Sequence, residues 1–257
     1  MRVAVTGAAG FIGSHVTERL LADPGVDVIA VDDYRTGHLG NIAHLRLTDA
    51  VMANRFLRNM ERGNGARPDA IVHLGAITDT TCHDHHLLAR RNVGYSLRLA
   101  QVAADHGIAF VYASSASVYG TSPRCVEDPR YEAPCNPYAA SKLLVDGVLR
   151  PRMGRPRPPA TLVGLRLFNV YGSREGHKGP MASIIHQAVA AIQRDEPVRL
   201  FDGCPDAPDG TITRDWVAQR LSSLDVGDHP PPEGIELYRH PDDFEPKPAA
   251  VLVPLVN

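Results

Sequence analysis

Tyr138 and Lys142 stand four residues apart in the run YAASK, a spacing that puts both side chains on one face of a helix. A phenol beside an ammonium can act as a base, because the positive charge favours the phenolate and draws a pKa near ~10 downward. Such a pair can take the proton of a secondary alcohol as hydride leaves its carbon. Ser114 and Ser115 close the run IAFVYASS, and a hydroxyl there, Ser115 above all, can hold the alcohol oxygen. A YxxxK spacing also arises on ordinary amphipathic helices. What singles this one out is its company: Gly7, Gly10 and Gly13 form GxxGxxG early in the chain.

Glycine is required where a chain turns tightly and its backbone must approach a pyrophosphate, and a helix N-terminus then offers free N–H groups to the phosphates. The triplet sits between RVAVT, a buried-strand run, and HVTERLLA, which has helical spacing. A glycine triplet alone also makes purely structural turns. Here Asp32 closes the second apolar run, VDVIAV, and a carboxylate at that point can accept the hydroxyls of an adenosine ribose. A bound NAD or NADP is the expectation, and the residues leave the choice between them open. Asp32 repels a 2′-phosphate, and Arg35 and His38 are near enough in sequence to offset it.

The elements that must position these groups alternate. Strands are expected at 2–6, 26–31, 69–74, 108–113 and 161–168, and helices after Gly13, over 87–105 and over 138–150. In the second helix Leu87, Leu88, Leu97, Leu99, Val102 and Ala103 supply an apolar stripe. Strand–helix alternation with long crossovers predicts an α/β fold, a Rossmann-like doubly wound parallel sheet, with a partial, smaller C-terminal substrate domain. A further helix is expected over 180–194 and a short strand over 198–201.

Composition narrows the function classes. The chain has 257 residues, 44% hydrophobic and 22% charged, with a net charge of -2, so a sizeable core forms and no basic field invites nucleic acid. No stretch approaches the ~18 apolar residues of a membrane span. Cys82, Cys125, Cys135 and Cys204 form no CxxC pair, which fits a reducing cytoplasm and excludes a disulfide framework. The run Cys82-His83-Asp84-His85-His86 invites a metal, but adjacent residues on one turn point apart, and no metal site is expected.

The pieces TGAAGFIG, VHLGA, YASSASVYG, YAASK and LRLFNVYG together resemble the extended short-chain dehydrogenase/reductases, the nucleotide-sugar epimerases and dehydratases. NVYGSREGHKGPMAS over 169–183, with TDTTCHD and LFDG, is similar more narrowly to the ADP-L-glycero-D-manno-heptose 6-epimerase family. The resemblance runs to about residue 217. It implies epimerisation at C6 of an ADP-heptose for the lipopolysaccharide core: hydride removal by bound nicotinamide, rotation of the ketone, and hydride return to the other face. Tyr138 matches one base and Lys178 the second; on residues alone, Lys178 in GHKG reads equally as a surface lysine. A depressed Lys178 pKa is expected, with Arg174 and His177 as its cationic neighbours. Phe11, Ile12, Asp33, Gly75, Ala76, Ile77, Asn92 and Val170 match cofactor contacts. Asn169, Phe201, Asp202, Gly203 and Arg214 match substrate contacts, and His186 lies one place from a substrate histidine, with Gln187 in that place. The resemblance implies NADP as the cofactor, with NAD the alternative, since the lysines that the family sets near the cofactor phosphates are replaced by His38 or Leu39 and by Ala53. Homo-oligomers are implied. Other nucleotide-sugar epimerases or dehydratases, and a cofactor-binding protein without turnover, are the competing readings.

On this reading residues 1–168 form the NAD(P)-binding domain, 169–216 a partial substrate-binding region and 217–257 an atypical tail. Fifteen of the 21 prolines follow residue 150, and after RDWV the family pattern ceases. A shifted reading frame or a truncated gene would explain the change. Reading the coding DNA in the other two frames after codon 217 should then reveal a VxDV…FNLGTG-like continuation; neither frame encoding one would reject the idea.

Overall fold

Short β-branched runs separated by long crossovers suit parallel pairing, and they bury both faces of the resulting sheet. In the computed structural model β1 (Arg2–Thr6), β2 (Asp27–Asp32), β3 (Asp49–Met52), β4 (Ala70–His73), β5 (Ala109–Ser115) and β6 (Leu162–Leu167) form one sheet. Its order is β3-β2-β1-β4-β5-β6, every neighbouring pair parallel. The order reverses between β1 and β4, and in such sheets ligands bind at the carboxyl ends beside that switch. The structure describes residues 1–199 except 48, 66, 123 and 154–160, together with the backbone of 211–212.

Alternation along the strands feeds two cores. Val3, Val5, Val28 and Ala30 face α1 (Phe11–Leu21), whose Val16, Leu20 and Leu21 cover them. On the other face Ala4, Ile29, Val31, Ile71 and Phe110 meet Phe56, Leu57 and Met60 of α2 (Ala53–Glu61). The same core takes in Leu99, Val102 and Ala103 of α4 (Tyr95–His106), and Val145 and Leu149 of α5 (Pro137–Leu149). A single helix expected over 87–105 is in fact α3 (His85–Leu88), a π-turn over Ala89–Gly94 and α4. Asp84 caps its start through the Leu87 N–H at 2.8 Å, so the Cys-His-Asp-His-His run is a helix entry. Among the described residues no group of His, Cys, Asp and Glu could hold a metal ion.

Chain packing separates a unit reaching Val170 from a second beginning at Tyr171. In the second, a 3-10 turn over Gly176–Met181 precedes α6 (Ile184–Gln193). The helix expected from 180 thus starts later, where Ser183 caps the His186 N–H at 3.1 Å. The short strand is β7 (Val198–Arg199), antiparallel to β8 (Thr211–Ile212). The tail 217–257 lies outside the described residues.

Phe110 lies between the rings of His73 and Tyr112, with centroids 5.9 and 6.1 Å away. Phe110→Ala should lower unfolding free energy by about 3–5 kcal/mol, read as a lower urea midpoint at unchanged slope.

Candidate functional site

The glycine turn follows β1 directly. Gly7 has a φ of +71°, and a Cβ on it would lie 2.7 Å from the Gly75 nitrogen. A Cβ on Gly13 would lie 1.9 Å from the Gly7 carbonyl oxygen. No side chain caps α1 at Gly10, and a glycine turn opening onto a helix N-terminus is the arrangement that receives a pyrophosphate. Phe11 is buried and Ile12 half-buried in that first turn. The loop after β2 holds the turn from the other side. Asp32 accepts the N–H groups of Ala9 and Tyr34, both at 2.8 Å, while Asn41 Nδ2 donates to the Ala9 carbonyl at 3.0 Å. Asp33 pairs with Arg91 at 2.8 Å.

A buried wire runs behind the turn. Gly75 N–H donates to Thr6 Oγ1 at 3.1 Å, and Thr6 Oγ1 lies 2.6 Å from His73 Nδ1. His73 Nε2 lies 2.8 Å from Ser96 Oγ, which donates to the Asn92 carbonyl at 2.5 Å. With the Ser96 proton so used, the imidazole donates through Nε2 and accepts at Nδ1. It stays neutral, because burial, aided by the Lys142 charge, pulls its pKa down to about 3. The π-turn aims Asn92 at the loop after β4: its amide accepts from Ile77 N–H at 2.8 Å and donates to the Ile77 carbonyl at 3.0 Å. It also donates to Ser141 Oγ at 3.0 Å. Gly75, Ala76 and Ile77, expected to touch cofactor, are thereby fixed to both the glycine turn and α5.

Asn136 caps α5 through the Ala139 N–H at 2.8 Å, and Pro137 opens it. Tyr138 and Lys142 share one face and are both buried. Lys142 Nζ lies 6.0 Å from the Tyr138 ring centre and donates to the Ala113 carbonyl at 2.9 Å. Burial draws Lys142 down to about 8 against the opposing pull of Asp146. The expected depression of Tyr138 is not what this geometry gives: burial pushes the phenol up, and only the Ser115 hydrogen bond draws it back. The two serines separate by strand alternation. Ser114 donates to Asp146 at 2.8 Å and is spent there, whereas Ser115, its Oγ held by Ser117 at 2.8 Å, faces the phenol. Asn169 and Val170 follow β6, with Asn169 exposed.

In the second unit Lys178 stands on the 3-10 turn, 3.8 Å from Glu175. Burial lowers its pKa, as expected, but the charge beside it is the Glu175 carboxylate, which opposes the shift. Arg174 and His177 do not enter as the causes expected from the sequence. Glu175 is fully buried and accepts from Gly172 N–H at 3.1 Å, Ser183 N–H at 2.7 Å and Ser183 Oγ at 2.8 Å. Gln187 ties down the Ala182 carbonyl at 2.8 Å, and His186 is half-buried on α6. Phe201, Asp202, Gly203 and Arg214 lie outside the described residues.

Residues 3–220 match the model of the NAD dependent epimerase/dehydratase family. The chain belongs to that family. It is 40% identical over 239 residues to the ADP-L-glycero-D-manno-heptose-6-epimerase of Pseudomonas paraeruginosa, covering 91% of this chain and 72% of that one. The protein of the same name from Alkalilimnicola ehrlichii is 40% identical, at 91% and 74% coverage. Among solved structures, ADP-L-glycero-D-manno-heptose-6-epimerase of Helicobacter pylori superposes with a TM-score of 0.70 at 30% identity, over 78% of this chain and 66% of that one. UDP-glucuronic acid 4-epimerase of Bacillus cereus, solved with UDP-glucuronic acid and NAD, gives 0.64 at 26% identity, over 79% and 66%. The chain thus spans just under two thirds of these two solved structures.

The residues present fit the nicotinamide cofactor of an epimerase/dehydratase: a turn that admits no Cβ, an uncapped helix start and a carboxylate ending β2. The acidic-loop braces Asn41 and Arg91, the wire Thr6–His73–Ser96 and the carboxylates Asp146 and Glu175 were not anticipated. Of these only Asp146 carries a readable signal, four residues past Lys142 on the same helix face. Gly7→Ala should weaken dinucleotide binding at least about tenfold, because a Cβ in the left-handed region costs roughly 1–2 kcal/mol before its collision with Gly75. Fluorescence titration with reduced cofactor measures this.

Proposed function

We propose that the chain is an ADP-L-glycero-D-manno-heptose 6-epimerase, converting the D-glycero to the L-glycero epimer for the lipopolysaccharide core. The observation that carries the reading is a buried Tyr138–Lys142 pair at the carboxyl end of the sheet, in a chain 40% identical to relatives of that name. Nicotinamide, when bound, supplies a reversible hydride acceptor. Tyr138 takes the C6 hydroxyl proton as the C–H bond breaks, and Ser115 holds the oxygen. The Lys142 ammonium lowers the cost of the phenolate in a site where burial works against it. Lys178, partly desolvated, serves as the acid/base for the opposite face, where an ammonium can give up its proton and a guanidinium would stay protonated. Lysine is scarce in this chain: Lys142, Lys178 and Lys247 are its three lysines, and two of them are assigned to proton chemistry.

Asn169 and His186, with Phe201, Asp202, Gly203 and Arg214, are assigned to the substrate; a guanidinium binds diphosphate as a fork. NADP is the assigned form of the cofactor. Arg91 neutralises Asp33, and both Asp32 oxygens already accept backbone donors, which lessens the repulsion of a 2′-phosphate. A cytoplasmic homo-oligomer is the assigned form; among the described residues no helix is long and apolar enough to cross a membrane.

Incubation with NADP and ADP-D-glycero-D-manno-heptose should yield the L-glycero epimer by product NMR. Tyr138→Phe should lower that rate by about 10²–10⁴-fold. An unchanged epimer ratio with cofactor bound would reduce the chain to a binding protein, conversion of UDP-hexoses instead would move it to another epimerase, and tighter NADH than NADPH binding would reverse the cofactor assignment.

A further inference from the structure

Tyr138, Lys142 and Asp146 recur every four residues along one face of α5, and all three are buried. Asp146 has both oxygens engaged. Oδ1 accepts from Tyr112 hydroxyl at 3.0 Å, and Oδ2 accepts from Ser114 Oγ at 2.8 Å and from Arg166 Nε at 3.3 Å. Tyr112 and Ser114 point the same way from β5, and the residue between them, Ala113, lends its carbonyl to Lys142 at 2.9 Å. Two side chains of α5 therefore grip three consecutive residues of β5, and Ser115 is the next.

We propose that Asp146 is a positioning residue for the reaction: it keeps the buried Lys142 ammonium charged and fixes the strand end that carries Ser115. The proposal rests on the reading of Tyr138 and Lys142 as the proton-transfer pair. An ammonium withdrawn from water drifts toward its neutral form unless a carboxylate stands near. The charged and titratable groups that face Lys142 are few. Tyr138 and Asp146 come from its own helix. His73 on β4 is neutral, and Arg166 on β6 is answered by Glu132 as well as by Asp146. That leaves Asp146 as the group whose negative charge offsets the burial of Lys142. A neutral amine there gives the Tyr138 phenolate no support.

Asp146→Asn removes the charge and keeps the shape. An amide oxygen can still accept from Ser114 and Arg166, and its nitrogen can donate to the Tyr112 oxygen. With lysine labelled with ¹³C at Cε, the protein has three lysine signals, and Lys142→Arg identifies the one required. In Asp146→Asn the Lys142 titration should fall from about 8 by about one unit or more, and Asp146→Glu should restore it. Because the ammonium is then lost at lower pH, kcat should drop about fivefold or more at pH 8 and recover as pH is lowered, with KM little changed. An unmoved Lys142 titration overturns the proposal alone. So does a pH-independent activity loss that tracks a lowered melting temperature, which is what a purely structural ion pair would give. Full turnover by Lys142→Met overturns the role of the pair and the proposal with it.

Discussion

One ammonium group, sunk beneath α5 with a single carbonyl to bond, sets the demands that the surrounding residues meet. A buried charge is tolerated only with partners, and the partners form an alternating row. Asp146, one helical turn from Lys142, offsets its burial and pairs with Arg166, Arg166 with Glu132, and Glu132 with Arg150, half in solvent. The row ties α5 to β5 and β6 and to the loop before α5. The Arg166 guanidinium carbon lies 4.8 Å from the centre of the Tyr119 ring. The same carboxylate–guanidinium contacts that neutralise the interior therefore also dictate where β5 ends.

The glycine turn works by the opposite device, the removal of side chains. Where Gly7 and Gly13 bring backbone against backbone, no polar side chain could reach in to steady the turn from within. The steadying comes from outside, through Asp32, Asn41 and the Thr6–His73–Ser96 wire. Both halves of the site meet at Asn92, which holds the Ile77 peptide and Ser141 at once.

Much of this fold could be read from residues alone. The five long apolar runs and the helices that pack on them are regular enough to show. The strand β3 and helix α2 escaped because DAVM is a short, half-exposed edge run and ANRFLRNME is mostly polar; only Phe56, Leu57 and Met60 betray a buried stripe. Residue types located the site well and its electrostatics poorly. Spacing named Tyr138 and Lys142, but burial, which spacing does not encode, reversed the expected direction for the phenol. Nearby cations were expected for Lys178, whereas the chain folds Glu175 against it. Ser115 was singled out over Ser114, and the strand's pleat supplies the reason: Ser114 turns to Asp146 and Ser115 to the phenol.

The π-turn ahead of α4 has a further meaning. Such a turn holds one residue more than the α-helical path it replaces, so the helical halves on either side keep their phase whether or not the extra residue is there. Leu88 before it stays buried, and Leu99 after it stays in the core against the sheet. Within the turn Val93 keeps its place against the core, while the added residue's geometry serves Asn92. Helix and site can vary here on separate accounts: the segment is a place where chemistry could be gained or retuned by a single insertion without loosening the scaffold beneath it.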